Sequence, residues 1–216
     1  MIIRQLLDTF HPRSQPWITR QSYCHELLAA LTFPVAMGMI EGSVVGVLAR
    51  KTFDVGPLLF ATIMAAPMFA NVTSFVWARL ARRRRKVRFI NTLQIAFLGF
   101  IGAIALLPID RTGGFLLTGL IVLNRCFMAG IITIRSTIWR MNYPRQVRGQ
   151  VIGRLTLINS LILAIAPLLG YALLDQTPEA FRLIYPASLL IASIGVVAFS
   201  RVRLRGEREL LAFESR

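Results

Sequence analysis

The sequence predicts an all-α polytopic membrane protein with six transmembrane helices, and three observations predict it. Of its 216 residues 55% are hydrophobic and only 16% charged, with a mean hydropathy of +0.61, whereas soluble domains carry about 45–50% apolar and roughly 25% charged residues. Six apolar stretches meet or approach the length needed to cross about 30 Å of hydrocarbon as a helix. The net charge of +15, from 25 Lys+Arg against 10 Asp+Glu, is segregated between those stretches. A basic balance this large is also an electrostatic footprint for phosphate, so the position of the arginines decides its meaning.

The elements follow in order. An amphipathic leader, residues 1–26, carries Arg4, Arg13 and Arg20 and precedes the first span, 27–49. That span is too long for a signal-peptide core of about 7–15 residues and has no small-residue cleavage pattern behind it, so it is expected to be retained. The next spans are 56–78, 89–109, 115–138, 151–174 and 180–200, and a basic tail, 201–216, closes the chain. Short connections with turn residues, 50–55, 110–114 and 175–179, lie on one side. No separate soluble domain fits between them, and Cys24 and Cys126 give no disulfide framework.

Alternate connections differ sharply in charge. The leader, the loop from Arg79 to Arg88, the stretch from Arg135 to Arg154 and the tail hold twenty of the Lys and Arg residues; the other side holds only Arg50, Lys51, Arg111 and Arg182. By the positive-inside rule both termini and the basic loops are expected to be cytoplasmic, in an inner (plasma) membrane. The run containing Arg79, Arg82, Arg83, Arg85 and Lys86 then serves topology and attracts anionic lipid headgroups at about 1 kcal/mol per basic residue. It lacks the interleaved aromatics of a nucleic-acid groove, so no nucleic-acid partner is expected.

Ionisable groups inside a membrane helix cost a debated ~2.5–3.5 kcal/mol or more each and are functional candidates by default. Glu41 lies about 12 Å deep in the first span and Arg125 about 15 Å deep in the fourth, counted from the same side at 1.5 Å per residue. Their depths match within about one helical turn, so an ion pair between them is expected. It would be either a structural tie between two helices or part of a transport cavity, as a proton-responsive carboxylate or an anion-binding arginine. Gly38, Gly42 and Gly46 form a doubled small-xxx-small ladder that would let another helix approach closely beside Glu41.

Asn71 in the second span and Asn159 in the fifth are further polar candidates, each in a span that also holds a proline, Pro67 and Pro167. Proline frees a backbone carbonyl and kinks or breaks a helix. Three spans precede the 110–114 loop and three follow it, and the proline-bearing helix is the middle one of each triplet, which predicts two three-helix repeats with helix breaks at Pro67 and Pro167. Enzymatic chemistry is not expected. Both histidines, His11 and His25, lie in the leader, so no general base or paired metal ligand lies within the spans, and the phosphate-loop pattern is absent. No metal or cofactor is expected; the adjacent Cys24, His25 and Glu26 would point in different directions at a helix entrance.

The assembled residues resemble the amino-terminal six-helix half of a major facilitator superfamily transporter, over nearly the whole chain. The stretch 78–86 is similar to that family's signature loop between its second and third helices, with Arg82 where an Asp is expected and Arg85 where a Gly is expected. Asn124-Arg125 followed by Gly130 resembles the family's membrane arginine and glycine, one residue further apart than usual. The segment from Ala166 to Gly170 resembles the Gly-Pro-x-x-Gly element of antiporters with its first Gly replaced, and that from Tyr143 to Gly149 resembles the loop after the fourth helix.

The resemblance implies that the first, second, fourth and fifth helices surround a central cavity, bringing Glu41, Asn71, Arg125 and Asn159 together. It implies secondary transport of a small solute by alternating access, with Glu41 as the candidate for proton coupling. It also implies a second six-helix half, from a longer chain, a second copy or another chain. A non-transporting membrane scaffold or accessory subunit that kept the fold is the competing expectation, favoured by the altered loop at Arg82.

Overall fold

The computed structural model describes residues 17–215, and among them every regular element is helical. They are α1 (Trp17–Met39), α2 (Gly42–Val47) with a π-helical turn (Leu48–Thr52), α3 (Pro57–Val72), α4 (Ser74–Leu80), α5 (Lys86–Ile104), α6 (Arg111–Asn142), α7 (Arg145–Gln176), a 3₁₀ turn (Pro178–Ala180), α8 (Phe181–Ser200) and α9 (Glu207–Ser215). Among the described residues five helical stretches are long and apolar enough to cross a membrane, and six if α3 and α4, bent by 43° at their junction, count as one broken span. The protein is therefore a multi-pass membrane protein. Residues 1–16 of the expected leader lie outside the described residues.

Local chemistry explains most boundaries. Asp110 caps α6 by accepting the Gly113 N–H at 2.6 Å. Pro144 ends α6 and opens α7, because the residue before a proline is pushed out of the helical region and the proline lacks the N–H that a helix interior needs. At 32 residues each, α6 and α7 are about 48 Å long and overrun the hydrocarbon core. The expected spans 115–138 and 151–174 stop short because they followed hydropathy, whereas the helices continue through polar residues. The first helix likewise begins at Trp17, well before residue 27.

Two expectations about breaks are corrected. Helices α3 and α7 run through Pro67 and Pro167, and the bend in the second span comes at Thr73. There the Thr73 hydroxyl donates to the Ala70 carbonyl at 2.7 Å and that of Ser74 to Asn71 at 2.7 Å. One lost hydrogen bond per proline is absorbed within the helix. The true break lies in the first span, at Ile40 and Glu41, where no proline stands.

The helices pack in a pattern with internal symmetry. Span one packs on spans five and six, span four on spans two and three, and span three on span six. Exchanging one with four, two with five and three with six reproduces the same set of partners, as two three-helix units related by a two-fold would require. Small residues sit where the related pairs touch. A Cβ on Gly38 would lie 2.9 Å from the Pro167 ring, and one on Gly130 would lie 2.9 Å from the Trp77 indole. The glycine ladder itself does not form: the break separates Gly38 from Gly42, and Gly46 has no atom within 4 Å of a would-be Cβ. Spans two and five are the least covered, exposing Leu58, Met68 and Phe69 on α3 and Leu161, Leu168 and Leu169 on α7.

A side chain at Gly38 must displace a rigid proline ring, while one at Gly46 meets open space. Gly38→Leu is expected to destabilise the detergent-solubilised protein by about 1–3 kcal/mol, and Gly46→Leu to leave it near wild type. Thermal unfolding of the two variants side by side checks this; equal losses would show that the close approach at Pro167 is not what Gly38 serves.

Candidate functional site

The break in the first span builds the site. After α1 the chain makes one tight turn, with Ile40 N–H on Met37 O at 3.1 Å and Glu41 N–H on Gly38 O at 3.2 Å, then Glu41 adopts an extended conformation and α2 starts at Gly42. The last carbonyls of α1 thus lose their helical partners at membrane depth, where an unsatisfied group costs several kcal/mol. Two other spans supply donors. The Tyr185 hydroxyl of α8 donates to Met39 O at 2.9 Å, and Arg125 Nη2 of α6 donates to Ile40 O at 2.6 Å.

Arg125 also pairs with Glu41, Nη1 to Oε1 at 2.6 Å. The geometry is favourable on both sides, since Arg125 faces the negative end of α1 and Glu41 sits at the positive end of α2. The Arg125 side chain is 13% exposed and that of Glu41 35%, so the carboxylate remains reachable from a face this chain does not cover.

A second polar level lies fifteen residues back along the first span, about 22 Å away along the bundle. Glu26 is fully buried there, accepting from the Trp139 indole N–H at 2.5 Å and from the Tyr143 hydroxyl at 2.9 Å. Arg135, one turn before Trp139, lies over the Trp139 ring at 5.2 Å and the Phe199 ring at 5.5 Å. Between the two levels is a cavity of about 130 Å³ whose lining includes Phe33, Met37, Met128, Arg135, Trp139 and Asn159.

The signature-like loop closes one end of the bundle. Lys86 opens α5 with only 4% of its surface exposed, and its ammonium donates to Ala81 O and to Glu214 Oε2 of α9, each at 2.7 Å. Arg83 has φ +59°, a strained value for a non-glycine residue, and its N–H donates to the same Glu214 oxygen at 2.7 Å. Partial burial pushes the Glu214 carboxyl up, but hydrogen bonds from Lys86 and the Arg83 amide, with the charges of Lys86 and Arg82, outweigh it and hold it below its ordinary 4.5. Arg79, Arg82 and Arg85 are exposed.

Of the four residues expected together, Glu41 and Arg125 meet. Asn159 lines the cavity instead, and Asn71 is exposed on α3 with no hydrogen bond to the pair. The sequence reading missed Glu26, Arg135, Trp139 and Tyr143. By sequence position Arg135 belongs to a basic loop and Glu26 to the leader, yet both lie within helices, Glu26 fully buried and Arg135 partly so. Their signal is a four-residue periodicity: Arg135, Trp139 and Tyr143 share one helical face, opposite an acid. Cys24, by contrast, is exposed, and its neighbours diverge, Glu26 toward α6 and His25 toward α8.

Fold and site together define a multi-pass helical membrane protein whose first span is broken around an ion pair. Residues 27–215 match the Major Facilitator Superfamily, and the chain belongs to that family, whose members are transporters. Neither a curated protein nor a solved structure matches it.

Two predictions follow from this geometry. Glu41→Ala and Arg125→Ala should be non-additive, with a coupling of about 1–3 kcal/mol in a thermal-unfolding cycle; additive losses would mean that the pair does not form in the membrane protein. Glu214 titrates below its unfolded value, so its contribution is complete above about pH 4.5 and is lost as pH falls through the folded value. The protection factors of amides 207–215, taken relative to the intrinsic exchange rate at each pH, should therefore fall under acid, and in Glu214→Gln they should be low already at neutral pH; protection unchanged in the variant would exclude this contact as the anchor.

Proposed function

We propose that the chain carries out secondary active transport of a small solute by alternating access, with Glu41 as the proton-responsive group and Arg125 as its partner. The observation that carries this reading is the broken first span, which places an ionisable pair beside unwound backbone at membrane depth. Such breaks are tolerated where they line a protein or water-filled cavity, and they mark binding sites in transporters. The cavity between the Glu41 and Glu26 levels offers the solute a place, with Asn159 as a polar contact, while Asn71 faces outward toward whatever covers span two. Alternating access also needs a second six-helix half, from a second copy, another chain or a longer form of this one. The exposed apolar flanks of spans two and five are the surfaces for it, or for lipid. Both basic ends face the cytoplasm of an inner membrane in this reading, against anionic headgroups.

A second reading is a non-transporting scaffold or accessory subunit, and one observation favours it. The signature-like loop is pinned to α9 through Glu214, Lys86 and Arg83, a contact that holds one end of the bundle still.

Side-specific labelling separates the two. In a chain with Cys24 and Cys126 changed to Ser, Thr156→Cys places one thiol on the cavity lining. A membrane-impermeant maleimide should reach it from both faces of sealed vesicles, and Glu41→Gln should shift the ratio of the two rates at least threefold and flatten its pH dependence. Labelling from one face only, at every pH, would establish the scaffold reading.

A further inference from the structure

Arg135 is partly buried, and two of its guanidinium nitrogens have no protein acceptor. Its Nε and Nη2 are shielded from solvent and make no hydrogen bond. The Glu26 carboxylate lies close enough for its charge to act on Arg135, but its two oxygens accept from Trp139 and Tyr143, and it reaches neither Nε nor Nη2. What holds the guanidinium is two aromatic faces, which steady a cation without using its in-plane donors. A buried donor left unmade costs about 1–3 kcal/mol, more for a charged group, so the arrangement calls for an acceptor.

The cavity defines what that acceptor is attached to. Its walls are mostly apolar, from Phe33, Met37, Met128 and the Trp139 ring, with Arg135 as its one charged lining residue and Asn159 as a neutral polar group contributed by α7. At about 130 Å³ it is near the size of a cavity that takes benzene, about 150 Å³. The planar fork of a guanidinium matches a carboxylate at two points.

We propose that this cavity is a binding subsite for a small organic monocarboxylate, its carboxylate held by Arg135 and its apolar body by Phe33, Met37 and Met128. The proposal rests on the transport reading for its physiological meaning, since it names the class of solute. Its test is a binding measurement, which can fail while two-sided labelling of the Thr156→Cys chain succeeds, so the two failures are distinguishable.

Titration calorimetry on the full chain in lipid nanodiscs is the experiment, with benzoate as the probe. Benzyl alcohol keeps the ring without the charge, and benzylamine reverses the charge. Benzoate should bind at least tenfold more tightly than either. Arg135→Gln should abolish binding, and Arg135→Lys should retain part of it, because an ammonium keeps the charge and loses the fork. Thr156→Trp should abolish it too, by filling the cavity from its exposed side with Arg135 untouched; this variant decides the matter if Arg135→Gln does not fold. Benzoate binding that survives Thr156→Trp, equal binding of benzoate and benzyl alcohol, or no benzoate heat from folded wild-type protein would overturn the proposal.

Discussion

The guanidinium of Arg125 is the contact on which the central region depends. It satisfies the Ile40 carbonyl exposed by the break and neutralises Glu41, the residue at the break. Each of the three groups would be expensive alone at that depth: a freed carbonyl, a carboxylate and an arginine. Held together, each removes the cost of another. Tyr185 covers the preceding carbonyl from the sixth span, so a local interruption of one helix binds three spans together. This also explains why the chain needs no proline at the break. Helical geometry is given up where outside donors are better placed than the helix's own amides.

The internal symmetry gives that contact its place. Spans one and four are exchanged by the two-fold pattern of packing, and the polar contacts between them run in antiparallel register: Glu41 with Arg125, Glu26 with Trp139 and Tyr143. The two levels differ in kind. At the first a carboxylate meets an arginine directly, whereas at the second it accepts from two neutral donors, and the nearby Arg135 leaves Nε and Nη2 without a protein acceptor. At the loop beyond, Arg82 stands where the resembling family pattern carries an acid, and a carboxylate reaches the loop from α9 through Glu214.

The spans, the Glu41–Arg125 contact and the family could all be read from the sequence, because hydropathy, charge segregation and depth arithmetic act along one dimension. Antiparallel helices convert sequence position into depth, so two charges at equal depth can be paired without knowing the fold. The break at Ile40 could not be read the same way. It depends on Tyr185 and Arg125 arriving from other spans, and the prolines that mark helix weakness locally were absorbed by intact helices. Gly38 was legible as a packing residue but not its partner, the Pro167 ring. Glu26 and Arg135 were hidden because hydropathy ends where charges begin, while the helices continue for several turns.

The same geometry says what a proton at Glu41 would do on the transport reading. Protonation removes the charge that Arg125 pairs with but leaves the Ile40 carbonyl, so the arginine keeps one anchor and loses the stronger one. The segment freed is short and mechanically distinct: α1 is held by spans five and six along its length, while α2 packs on α7, and the two are joined only through the extended Glu41. Extended residues between helices absorb large changes in backbone angle, as hinges do. Loss of the pair would therefore act on the joint between two pieces, one resting on spans five and six and the other on span five alone. A continuous helix with the same Glu and Arg would offer no such joint, and its ion pair would only hold two helices together.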